Sequence, residues 1–292
     1  MPRAQQPAEK PEAMSLLGKP LYRPPVPEAN RAKMEADAKA AFDLASREPS
    51  AENIIWLGRR TAYLGKFQEA IDVFTGGMRL YPTDPRLYRH RGHRYITIRN
   101  LLRAQEDLER AAELTKGQPD EVEPDGQPNA RGIPTSTLHS NIWYHLALAR
   151  YLKADFAAAA DDWRRARDAG KNPDNLVAGS HWLYLSLRRA NRASDAKAVL
   201  EPIRADLDVI ENGSYHALLL MYKGERTPAQ VLSAAAEGAA GSAARYGVSA
   251  WHLVEGRRPE AKKLWDQILA GPDWPSFGFI AAEADVKNMG NG

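Results

Sequence analysis

The chain has 292 residues, 40 Lys and Arg against 37 Asp and Glu for a formal charge of +3, and 43% hydrophobic residues. This supports a folded chain of one large or two ordinary domains and excludes global disorder; the charge is too small to argue for nucleic acid. No apolar run approaches the roughly 20 residues of a transmembrane helix, and the absence of cysteine removes disulfides, thiolate metal sites and cysteine nucleophiles.

Residues 1–26 read as an extended arm. Pro2, Pro7, Pro11, Pro20, Pro24 and Pro25 fix φ and remove amide donors, so neither helix nor central strand is expected. No secretory apolar region precedes the arm, so the chain as written is expected to be soluble and cytoplasmic. The small polar stretch Ala4–Ala8 has the look of a mature terminus, which gives the alternative of a periplasmic or exported protein. A helix is predicted over 27–48, with Met34, Ala38, Ala41, Phe42 and Ala45 on one stripe.

A repeat then begins. Gly58 and Gly92 stand 34 residues apart, as do Ala70 and Ala104, and Phe74 and Leu108. Self-similarity at this period signals stacked helical hairpins, none of which can bury its apolar face alone. The units fall at about 51–84, 85–118, 140–173, 177–210, 214–240 and 242–275. The first carries Ile54, Leu57, Gly58 and Thr61 on one helix, a turn at Gly65, and Ala70 and Phe74 facing them. The second has Tyr88, Gly92, Tyr95, Ala104, Leu108 and Ala111. The third has Trp143, Leu146, Ala147, Ala159, Trp163 and Ala166, and the fourth Trp182, Leu183, Ala196 and Leu200. Gly238–Gly241 is read as lying between helices. Thr227-Pro-Ala-Gln230 reads as a capping box opening a helix. Residues 276–292 are expected to form a capping helix and tail with a polar outer face.

These residues resemble the tetratricopeptide repeat (TPR) superfamily pattern. The resemblance implies an all-α fold, a right-handed superhelical solenoid of stacked hairpins, that binds protein segments in its concave groove. The second half is also similar in layout to the NlpI-type bacterial TPR lipoproteins, through Trp182–Leu185, the Tyr222–Gly224 helix end and the proline-started helix after it. Members of that family are outer-membrane adaptors for peptidoglycan hydrolases and a protease. This chain lacks their lipobox cysteine.

No phosphate-binding glycine loop, His-Glu-x-x-His motif or Gly-x-Ser-x-Gly elbow occurs, so no enzyme, metal or cofactor is expected. The histidines are read as polar groove or solvated residues. In the repeat family the groove is lined by a stripe on each first helix, which here gives Ile55, Arg59 and Ala62; Arg89, His93 and Ile96; Tyr144, Leu148 and Tyr151; and His181, Leu185 and Arg188. Arg60, Arg86, Arg91 and Arg94 crowd the basic end. Arginine offers a planar fork suited to carboxylates, so an acidic protein segment is the expected partner, with no nucleic acid. Against the family's Lys/Asn carboxylate clamp, only Asn141 is of a clamp residue type, and it stands where lysine is wanted.

The long acidic loop 117–137, with Asp120, Glu121, Glu123 and Asp125, interrupts the repeat. A loop of this length is uncommon inside a compact domain. It either folds toward the groove and pairs with Arg89 or Arg94 as a lid, or runs free over the surface. The functional expectation is a non-catalytic protein-interaction scaffold. The alternative is a carrier of a small, partly apolar carboxylated ligand held by Tyr144, Leu148, Tyr151 and Leu185.

Overall fold

The helical hairpins turn on residues with a left-handed backbone. In the computed structural model, which describes residues 10–235 and 238–290, α1 (Glu28–Arg47) precedes the hairpins α2 (Ala51–Tyr63) and α3 (Phe67–Leu80), α4 (Pro85–Thr97) and α5 (Leu101–Leu114), and α6 (Leu138–Leu152) and α7 (Phe156–Ala169). Then come α8 (Pro173–Arg189) and α9 (Ala193–Val199), α10 (Gly213–Tyr222) and α11 (Pro228–Ser233), α12 (Gly238–Val254) and α13 (Arg258–Leu269), and a final α14 (Phe277–Gly290). Gly65, Arg99, Ala154, Asn191, Gly224 and Gly256 follow the first helix of successive hairpins with φ between 60 and 82°. Helix starts are fixed by side chains that accept backbone N–H groups, among them Ser50, Asn100, Asp155 and Asn172. The Thr227–Gln230 capping box forms, with Pro228 at the first helical position.

Within a hairpin, close approach replaces bulk. A Cβ on Gly58 would lie 2.3 Å from the Phe74 ring, so only glycine lets α2 and α3 meet there. Adjacent first helices also touch, α2 on α4, α4 on α6 and α6 on α8. The result is an all-α solenoid of stacked helical hairpins, as the repeat resemblance implies.

Three expectations need correcting, and the extended arm gains detail. Gly238–Gly241 is the first turn of α12. Along the α1 stripe Ala45 is buried and Met34, Ala38 and Ala41 are half-buried, but Phe42 is 58% exposed beside a cleft against the arm and α2. The arm carries a short antiparallel hairpin, β1 (Ala13–Met14) with β2 (Pro20–Leu21), and buries Glu12, Ala13 and Ser15. Ala4–Ala8 lies outside the described residues. Finally, α14 is no polar-faced cap. Gly278 through Asp285 are all buried, as expected of a helix apolar around its circumference.

The burial of α14 closes the solenoid on itself. Arg99 meets Glu283 in a two-point ion pair at 3.0 Å, with side-chain exposures of 2% and 1%. Arg99 also donates to the Trp274 carbonyl at 2.8 Å, and the Leu16 N–H of the arm donates to Glu283 at 3.2 Å. The Trp274 indole donates to the Tyr22 carbonyl. One pair thus joins the α4–α5 turn, the C-terminal helix and the N-terminal arm. Burial lowers the Arg99 pKa, opposed by the Glu283 carboxylate.

Further along, Phe277 packs against His93 and His145, whose rings lie 4.3 Å apart. His90 and His145 are buried and His181 is wholly so, so the reading of these as polar groove or solvated histidines is corrected. Desolvation, aided in the first three by nearby arginines, holds His90, His93 and His145 well below the usual histidine range and pushes His181 to about 3.

Glu283→Ala is expected to destabilise the fold by about 3–5 kcal/mol, because it leaves Arg99 charged, buried and unpaired. The double replacement Arg99→Met, Glu283→Leu should cost less than Glu283→Ala alone. Urea denaturation of the three proteins checks this.

Acidity gives a second test. The unfolded chain binds protons on these histidines near pH 6.5 while the folded chain does not, so their contribution is complete above 6.5 and is lost as pH falls below it. Each contributes a slope of about 1.4 kcal/mol per pH unit once fully engaged. Asp162, raised to about 6 by burial, works in the opposite sense below that pH. His93→Gln should therefore remove about one proton from the wild-type slope between pH 6.5 and 5, measured by denaturation at fixed ionic strength.

Candidate basic face under the acidic loop

The acidic loop lies against α2 and α4 on one side and the α9–α10 connection on the other. Its base is an extended pair: Val122 bridges Thr137, the Glu123 N–H donates to the Ser136 carbonyl, and the Leu138 N–H donates to the Glu121 carbonyl. This pairing aims Glu123 at α4. Glu123 Oε1 lies 2.9 Å from Arg89 Nη2 and 3.9 Å from His90 Nε2, with the Arg89 and Glu123 side chains 8% and 10% exposed. Three residues on, Arg60 Nη1 donates to the Gly126 carbonyl at 3.1 Å. A Cβ on Gly126 would stand 2.0 Å from the Tyr63 hydroxyl and 2.9 Å from Arg59 Nη2. Gly126 is thus pressed against the side-chain ends of the basic surface, and a larger residue there would have to push Tyr63 and Arg59 aside.

The other side of the loop is tied to the α9–α10 connection. Asn129 and Thr135 donate to Glu211 at 2.6 and 2.8 Å, and Arg131 meets Asp208 at 2.8 Å. The Arg131–Asp208 pair is exposed, and such contacts contribute little. The amides of Asn172 and Asn175 add bonds to the Thr135 carbonyl.

The fates of the expected groove residues divide. Arg59 and Arg89 come together under the loop, with Arg94 beside them. Arg59 lies over the Trp56 ring at 4.4 Å and Arg94 over Phe67 at 5.6 Å. Burial, then the neighbouring Arg89 and Arg59, pull Arg94 down to about 10, although Tyr63 opposes them. Arg89 is lowered too, by burial and secondarily by Arg59, against the pull of Glu123. Asn141 sits at the margin and donates to Ser136 Oγ at 3.0 Å.

The remainder of the stripe is occupied by the chain itself, which corrects the expectation of an open groove. Ile96, Leu148, His181 and Leu185 are fully buried, and Ile55, Ala62 and Tyr151 nearly so. Tyr151 shares a hydrogen bond of 2.7 Å with Tyr246 of α12, Tyr144 faces Tyr215 of α10, and His93 meets Phe277 of α14. Arg188 is pinned to Tyr184, the Val254 carbonyl and Glu255. Arg86 is held by Asp84 and Glu52 at the start of α4, and Arg91 by a two-point pair with Asp107. The small-ligand alternative therefore has no open apolar wall at Leu148, Tyr151 and Leu185.

Sequence reasoning missed Tyr63 and Trp56. Both lie on α2 beside Arg59 and Arg60, and Trp56 stands over both guanidinium groups. An aromatic three residues before an arginine on one helix was the available signal. Among the described residues, no group of three or more His, Cys, Asp or Glu could hold a metal ion.

No family model and no curated protein matches the chain. Among solved structures, it is similar to YrrB, a TPR protein with an unusual peptide-binding site, at 13% identity over 85% of this chain and 99% of that one, with a TM-score of 0.46. A putative kinesin light chain of nearly identical TPR-like repeats from Podospora anserina is similar at 15% identity over 75% and 92%, with a TM-score of 0.44. The Naa15/Naa10 structure bound to HypK-THB follows at 15% identity and a TM-score of 0.39; 87% of this chain is covered, but only 37% of that one. The NlpI-type likeness is not shown by these comparisons. The stacked helical hairpins of the chain itself, with their recurrent turns and the Gly58–Phe74 contact, carry the tetratricopeptide-like fold.

Proposed function

We propose that the chain is a non-catalytic protein-interaction scaffold whose basic face, built from α2 and α4, takes an acidic segment of a partner. The observation that supports this is the seating of Glu123 on Arg89. An extended acidic stretch of the chain already occupies the face, with its carboxylate on a buried guanidinium and its backbone carbonyl on Arg60. A partner's acidic segment uses the same groups, in competition with the loop. The loop is then a tethered internal ligand, and its high local concentration sets how strong an outside segment must be.

The competition is testable with a labelled peptide copying residues 118–127, added to the full-length protein. Glu123→Gln should bind it roughly tenfold more tightly than wild type, since one charge-assisted bond no longer competes. Arg89→Gln should abolish binding, and raising salt should weaken it. Equal binding by wild type and Glu123→Gln, measured by fluorescence anisotropy, rejects the loop as a competitor. Binding to none of the proteins rejects the acidic-segment reading itself.

A further inference from the structure

The charges beneath the loop do not balance. Arg59, Arg89 and Arg94 face one region, yet Glu123 is the only carboxylate that pairs with any of them among the described residues. Neither Arg59 nor Arg94 has a side-chain hydrogen-bond acceptor there; each rests over an aromatic ring. Burial holds the nearby histidines well below the usual histidine range, and His90 Nδ1 lies 3.0 Å from Arg89 Nη1.

The one pair that does form is incomplete. Arg89 is 7% exposed, and its Nε has no hydrogen-bond partner. Glu123 Oε2 is likewise buried and unpartnered. A guanidinium normally meets a carboxylate or phosphate through two parallel bonds, as Arg91 and Arg99 do in this chain. Glu123, held by the backbone pairing at the base of its loop, reaches Arg89 through one oxygen. The internal ligand thus leaves a buried donor unused and two cations without an anion, each a cost that a better-matched ligand removes.

We infer that Arg59, Arg89 and Arg94 form one recognition site for a doubly charged oxyanion on the partner segment, supplied by a phosphorylated side chain or by two adjacent carboxylates. This rests on the acidic-segment reading above and adds the charge that the segment must carry. Such a group engages the Arg89 fork after Glu123 leaves and brings the second negative charge to Arg59 and Arg94.

The test uses full-length Glu123→Gln and three labelled nonapeptides of Gly, Ser and Pro, carrying one Glu, an Asp-Glu pair or one phosphoserine. At least one doubly charged peptide should bind about tenfold or more tightly than the single-Glu peptide. Preference for phosphoserine identifies a phosphoryl source, and preference for Asp-Glu identifies paired carboxylates. Adding Arg94→Gln should remove the advantage, whereas Lys262→Gln, exposed on α13, should leave it intact. If Arg94→Gln alters the circular dichroism or melting curve, Arg59→Gln takes its place. Equal affinity for all three peptides overturns this inference while the acidic-segment reading stands. An advantage that survives both Arg94→Gln and Arg59→Gln also overturns it. Failure of all three peptides to bind overturns both.

Discussion

The structure depends on one buried ion pair, Arg99 with Glu283. Removing two charges from water costs several kcal/mol per ion, so this pair is a poor source of net stability. Its contribution is geometric. The Arg99 fork accepts Glu283 in a narrow range of positions, and the remaining donors go to the Thr97 and Trp274 carbonyls. Arg99 also occupies the left-handed turn between α4 and α5, a conformation costing a non-glycine residue about 1–2 kcal/mol. The same residue therefore sets the hairpin turn and the seat of α14. An apolar contact could slide, whereas this one has few ways to form.

Seating α14 there decides what the concave face can do. Phe277 reaches His93 and His145, and α12 brings Tyr246 to Tyr151. These contacts consume the middle of the groove. What remains of the expected recognition stripe is its first end, on α2 and α4, where the acidic loop lies. The interior cannot serve both as core and as ligand channel. A partner must engage the margin unless the C-terminal helices withdraw, which would expose Arg99 and Glu283 as separated charges.

Much of the hairpin architecture was legible because its causes are local. Gly58 and Phe74 meet within one unit, and the capping box at Thr227 spans four residues. The loop was legible through its interruption of the 34-residue spacing and its acidic composition, and pairing with Arg89 was one of its two expected outcomes. The filling of the groove was not legible, since it depends on how far the solenoid curves before α14 arrives. No periodicity encodes that curvature. A weaker signal was present in the composition of Phe277–Val286, where apolar residues lie all round the helix and point to burial rather than to a cap. The same signal runs through Val177–Leu187, every residue of which is buried, including the groove positions His181 and Leu185.

The two fastenings of the loop differ in kind, and that difference sets the direction of opening. At the α9–α10 end, Arg131 and Asp208 are 47% and 74% exposed, so solvent and salt compete for both. At the α4 end, Glu123 and Arg89 are screened from water and each is costly to leave alone. Loss of the first fastening alone leaves the basic face covered. Loss of the second requires another anion to arrive as Glu123 departs, because Arg89 would otherwise stay charged in a desolvated position. On the proposed function, exchange at the buried end is favoured as a replacement of one acid by another, and the exposed end supplies the slack that lets the displaced segment move away.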